Sequence, residues 1–136
     1  MLTVAQGLAR QAGVQDRYQV IAGDAFQQDF GSGYDLVLLA NFLHHFSLAA
    51  CETLLRKILR CLSPGGRVIT LEFVPNDDRV SPPMVAEFSL IMLATTPEGD
   101  AYTLKEYEQV FRRAGFSRTE LQTLPGSMEQ VLVSFT

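Results

Sequence analysis

The 136 residues contain no tryptophan and only two cysteines, and charged side chains make up just 19% of the chain. Its 11 lysines and arginines nowhere cluster, and the net charge is −4. That balance argues against nucleic acid, whose phosphate backbone needs a basic surface. No apolar run approaches the roughly 18 residues that a bilayer-spanning helix requires, so no membrane partner is expected. The opening residues MLTVAQGLARQAG have neither a basic start nor an apolar block, so no signal peptide is expected. Cys51 and Cys61 fall on one expected helix, about 15 Å apart along its axis, too far for a disulfide. Both read as reduced, partly buried thiols of a cytoplasmic protein. Repeats, linkers and low-complexity tracts are also missing. What remains, with 47% apolar residues, is enough for one domain with a continuous core.

The stretch Tyr34–Phe46, YDLVLLANFLHHF, organises the chain. Leu36–Ala40 is an unbroken apolar run, which reads as a strand (Asp35–Ala40) buried on both faces. Asn41, Phe42, His44, His45 and Phe46 then arrive together, where open α/β sheets bind ligands, beyond the carboxyl ends of their strands. Ser47 is placed as the N-cap of a helix to Leu62, with Leu54, Leu55, Ile58, Leu59 and Leu62 on one face. SerProGlyGly at 63–66 should end it and turn the chain into a strand over Arg67–Phe73. Such a crossover makes the two strands parallel neighbours, so His44 and Glu72 should face one crevice.

Upstream, residues 2–12 look helical with Gly13 as the stop, and Tyr18–Ala22 reads as a short strand ending at Gly23-Asp24. Downstream, Pro83–Ala94 reads as a helix burying Val85, Phe88, Ile91 and Met92. Thr103 and Glu106 form a capping box for a helix whose inner face is Tyr107, Val110, Phe111 and Ala114, closed by Gly115. Strands at Arg118–Thr123 and Gln130–Phe135 are too close to be anything but antiparallel. The order α-β-β-α-β-α-α-β-β implies an α/β, mostly parallel sheet with an antiparallel edge.

GlyAspAlaPhe at 23–26, AsnPheLeuHisHisPhe at 41–46, SerProGlyGlyArg at 63–67, Glu72 before ValPro, and MetLeuAlaThrThrProGluGlyAspAlaTyrThr at 92–103 stand in a fixed order. Together they resemble a class I S-adenosylmethionine-dependent O-methyltransferase, in the branch of caffeate-type, acetylserotonin-type and bacterial polyketide enzymes. The resemblance implies methyl transfer to a hydroxyl of a small aromatic or polyketide-like acceptor. By it, His44 matches the general base and Glu72 one of two carboxylates that orient it. Asp24, Ala25 and Phe26 match the adenine site, and Ala40 and Asn41 match positions near the rest of the cofactor. Phe88, Ile91, Met92 and Thr96 match acceptor-lining positions. No metal is implied: His44 and His45 are expected to diverge, and no third ligand accompanies them.

The departures are as informative. The second orienting carboxylate falls at Ala101, one residue from Asp100, and His45 stands where the family commonly has Asp. No G-x-G-x-G pattern occurs. Residues 1–136 are therefore expected to be the carboxyl-terminal part of a methyltransferase catalytic domain, a partial Rossmann-like sheet without its first two strands. The family order 3-2-1-4-5-7-6 would place Tyr18–Ala22 third and Asp35–Ala40 fourth. A homodimer or larger assembly would cover the apolar edge so left. The competing expectation is a truncated, non-catalytic remnant or oligomerising module without the cofactor's glycine loop.

Overall fold

Four strands pair into one sheet in the computed structural model, which describes residues 2–136. The chain divides into two compact units, one ending at Phe30 and one spanning Gly31–Thr136. In the first, helix α1 (Leu2–Gln11) stops at Gly13, whose φ of 68° suits only a residue without a Cβ cost, and a single 3₁₀ turn follows at Gln15–Arg17. The strand expected at Tyr18–Ala22 does not form. A strand exists through its ladder, and among the described residues this segment has none, so its weak alternation alone fixes no structure.

The second unit runs β1 (Tyr34–Ala40), α2 (Leu48–Cys61), β2 (Leu62–Glu72), α3 (Pro83–Thr95), α4 (Leu104–Ala114), β3 (Arg118–Thr123) and β4 (Gln130–Phe135). The sheet order is β1-β2-β4-β3, with β1 and β2 parallel and the other pairs antiparallel. Leu36 through Ala40 lie beside Arg67 through Leu71, so the two parallel strands end at the same edge. β2 begins earlier than expected: Leu62 pairs with Tyr34, and a register shift absorbs the Gly65-Gly66 turn instead of a clean break.

β1 is not buried on both faces. It is an edge strand, and Leu36 and Leu38 are 47% and 62% exposed while Leu39 is buried. The apolar run is the same whether or not a neighbour covers it, which is why the sequence alone suggested full burial. The core lies between the sheet and the helix pair α2 and α4, which pack on each other. Leu54, Leu55, Val68, Tyr107, Val110, Phe111 and Leu132 fill it, each large apolar side chain contributing about 1.5–3 kcal/mol through burial. The Thr103–Glu106 capping box is present, and Gly115 closes α4 at φ 110°. Helix α3 behaves differently: Val85 and Met92 are buried, whereas Ile91 is 53% exposed beside the exposed Leu90 and Leu93. Its apolar residues run all round, so periodicity could not choose a face.

Candidate active site

The parallel pairing of β1 and β2 brings the loop after Ala40 against the last residue of β2. The Asn41 N–H continues the ladder by donating to the Leu71 carbonyl at 2.9 Å, and Asn41 then turns through φ 51°. That left-handed step, tolerated by Asn better than by most residues, swings Phe42–His45 over the end of β2. Glu72 is fully buried there. Its Oε1 accepts the N–H groups of Phe42 at 3.0 Å and Leu43 at 2.8 Å, and its Oε2 lies 2.5 Å from His44 Nδ1. A buried carboxylate needs such partners, and the backbone clamp supplies two of three. His44 is itself buried, its ring edge-on to Phe88 at 4.9 Å and 84°, while Phe88 stacks on Phe73 at 4.2 Å.

His45 does not diverge from His44: the ring centroids are 4.3 Å apart, tilted by 57°, with His45 on the exposed side. Among the described residues no group of three His, Cys, Asp or Glu side chains could hold a metal ion.

The loop is tied at almost every polar backbone group. The Cys51 thiol donates to the Leu43 carbonyl at 3.3 Å, the Asp100 N–H to that of His44 at 3.0 Å, and the Tyr102 hydroxyl to that of Phe46 at 2.7 Å. Burial, then the charge of Glu72, pushes the Cys51 thiol up to about 12, so it stays a neutral donor. Burial first, with the charge of Glu72 second, also raises the Tyr107 hydroxyl well above its ordinary value.

The structure thus brings His44, Glu72 and Phe88 together. Met92 is buried one turn further along α3, and Ile91 points to the exposed side. Thr96 caps the helix end: its hydroxyl donates to the Met92 carbonyl and accepts the Gly99 N–H. The Asn41 side-chain amide donates to Glu129 Oε1 at 2.6 Å. In the unit ending at Phe30, the Asp24 Oδ1 accepts the Phe26 N–H at 2.9 Å, and its carbonyl accepts those of Gln27 and Gln28. The turn is thus closed on the Asp24 carboxylate and carbonyl. Ala40 and Asn41 are both exposed at the end of β1.

Asp100 does not orient His44 with its carboxylate. It accepts from Ser89 Oγ, from Arg79 Nη1 at 3.0 Å and from its neighbour's N–H at Ala101. Arg79, Ser89, Tyr102 and Glu129 were not identified from sequence. The bonds that tie them to the site span 11 to 88 residues and follow no local pattern.

The O-methyltransferase domain model matches residues 2–117. The chain belongs to the O-methyltransferase domain family. A crystal structure of a protein assigned as an O-methyltransferase from Nostoc punctiforme PCC 73102 is 56% identical, with a TM-score of 0.96 over 99% of this chain and 42% of that one. The acetylserotonin O-methyltransferase of Mus musculus is 33% identical over 126 residues, 93% of this chain and 32% of that protein. PigF of Serratia sp. strain ATCC 39006, an S-adenosyl-L-methionine-dependent methyl transferase, is 34% identical over 117 residues, 85% of this chain and 34% of PigF. A structure of PigF with SAH superposes with a TM-score of 0.87 over 98% of this chain and 40% of that one. The chain spans about a third of the length of the curated relatives it matches. The order β1-β2-β4-β3 agrees with the 4-5-7-6 part of the sheet order that the resemblance implied.

Proposed function

We propose that this chain carries the proton-accepting part of an S-adenosylmethionine-dependent O-methyltransferase. Its acceptor is a hydroxyl on a small aromatic or polyketide-like molecule. The observation that carries the reading is the 2.5 Å approach of His44 Nδ1 to a buried Glu72 that two backbone N–H groups already hold. Those N–H groups can only donate, so they fix the carboxylate, and the carboxylate in turn holds the proton on Nδ1. The Nε2 lone pair is then the one available to take the acceptor's hydroxyl proton. As the imidazole becomes cationic, the fixed charge of Glu72 stabilises it without reorganisation.

S-adenosylmethionine, when bound, supplies an activated methyl group on its sulfonium. Asp24, Ala25 and Phe26 are the candidates for its adenine, and Ala40 and Asn41 for the remainder. Phe88, Met92 and Thr96, with the exposed Ile91, are the candidate acceptor residues. The relatives' names support the acceptor class, and the protein's position in the family supports the cofactor.

A second reading, a non-catalytic or oligomerising module, is favoured by two observations: no G-x-G-x-G run in the sequence, and an exposed apolar edge at β1. Titration calorimetry with S-adenosylmethionine separates them. Micromolar binding together with a turnover loss of roughly 10²–10⁴ in His44→Gln supports the enzyme. Turnover within threefold of the parent in His44→Gln refutes the base.

A further inference from the structure

We propose that Asp100, held by Arg79, is a positioning residue that sets where the His44 ring sits. Two elements around His44 converge on it. Its N–H donates to the His44 carbonyl at 3.0 Å, fixing the main chain from which the imidazole projects. Its carboxylate accepts from Ser89 on α3, the residue after Phe88, whose ring forms the wall 4.9 Å from the imidazole. It also accepts from its own neighbour's N–H at Ala101, which fixes the carboxylate's direction.

Arg79 completes the arrangement. It reaches Asp100 Oδ2 at 3.0 Å with one arm and Glu106 Oε1 at 2.5 Å with the other. The other oxygen of Glu106 is the capping-box acceptor of the Thr103 N–H. Arg79 makes these contacts from a backbone φ of 56°, a conformation that an arginine holds only when its surroundings impose it. Partial burial opposes the charge on Arg79, but its bonds to and charges of Glu106 and Asp100 prevail and raise its affinity for the proton. The β2–α3 loop, α3, the α3–α4 loop and the start of α4 are thereby joined through Asp100 and Arg79 together. Gly99 lets the α3–α4 loop come this close: a Cβ there would collide with the His44 carbonyl oxygen. The bonds of the Asp100 carboxylate go to Ser89, Arg79 and Ala101 and not to the imidazole. Asp100 acts through the His44 main chain and through Phe88.

The inference rests on the reading of His44 as the base, and its first test is independent of turnover. In the folded 136-residue chain, the His44 ring protons carry a ring-current shift from Phe88 and show cross-relaxation to it. In Asp100→Ala and Arg79→Met the shift should fall and the cross-peaks weaken, while Arg79→Lys, which keeps the cation, should restore part of both. Ser89→Ala removes a single hydroxyl and provides the same readout if Asp100→Ala does not fold. Folded variants with unchanged His44 signals overturn the proposal. In a methyl-transfer assay, Asp100→Ala should lower kcat by roughly tenfold with the KM for S-adenosylmethionine unchanged. Shifted His44 signals in a chain that never transfers methyl would leave the positioning role standing and refute the catalytic one.

Discussion

Glu72→Gln should invert the histidine rather than merely weaken its partner. The two backbone N–H donors at Phe42 and Leu43 must keep an acceptor, so the glutamine carbonyl oxygen takes the place of Oε1. Turning the amide the other way would leave two donors unsatisfied, at about 1–3 kcal/mol each. The amide NH₂ therefore faces His44 Nδ1, where the carboxylate oxygen stood at 2.5 Å. That group only donates, so Nδ1 must accept, and the proton moves to Nε2. The lone pair needed for the acceptor hydroxyl is then on the wrong nitrogen. An equivalent tautomer error in a carboxylate–histidine pair costs about 10⁴ in kcat. Nitrogen-15 correlation spectra of the imidazole read the tautomer directly: Nδ1–H in the parent, Nε2–H in Glu72→Gln. Glu72→Ala is the control, orphaning both N–H groups at about 1–3 kcal/mol of stability apiece. A folded Glu72→Gln protein whose proton stays on Nδ1 would refute the reasoning.

Gly99→Ala places a methyl against the His44 carbonyl and the Thr96 hydroxyl, so chemical denaturation should show a loss of about 1–3 kcal/mol; a loss below about 0.5 kcal/mol would mean the loop yields freely. Cys51 ionises near 9.0 when unfolded and about 12 when folded, so its contribution is intact below pH 9. Between those values the unfolded chain holds fewer protons, and stability should fall by about 1.4 kcal/mol per pH unit as pH rises. Cys51→Ala should flatten that alkaline slope, and an unchanged slope would count against a buried neutral thiol. The exposed Leu36 and Leu38 on edge strand β1 should drive association of the 15.1 kDa chain, and Leu38→Lys should abolish it. A parent that stays a folded monomer at micromolar concentration in light scattering would sink that expectation.

What could be read from sequence divides along a physical line. Helices α2 and α4 show one apolar face at helical spacing, and α4 is bracketed by Thr103, Glu106 and Gly115, so local chemistry specifies them. The meeting of His44 and Glu72 was also legible, because two apolar runs joined by one helix must lie parallel and end at one edge. Tyr18–Ala22 was misread because a ladder partner, not composition, decides whether an extended segment is a strand. Ile91 was misread because α3 is apolar on every side. The Arg79–Asp100–Ser89 group was invisible: each member is an ordinary loop or helix residue until tertiary folding sets it beside the others.

The segment from Phe42 to Phe46 holds only a single 3₁₀ turn at Leu43–His45, yet it has little freedom. Its N–H groups at Phe42 and Leu43 go to Glu72, and its carbonyls at Leu43, His44 and Phe46 go to Cys51, Asp100 and Tyr102. These partners come from α2, β2 and the loop before α4, so no single element can shift the histidine alone. A proton acceptor gains from such rigidity, since a group already in place need not be ordered as the barrier is crossed. The contrast is with α3, whose Leu90, Ile91 and Leu93 face outward, and with β1, whose Leu36 and Leu38 do the same. His44, the proposed base, is therefore held on the tightly bonded side of the fold. The exposed apolar side chains lie instead on α3 and β1. Substitutions among the loop's polar partners should accordingly act on turnover, and substitutions on the outward faces of α3 and β1 on assembly and acceptor binding.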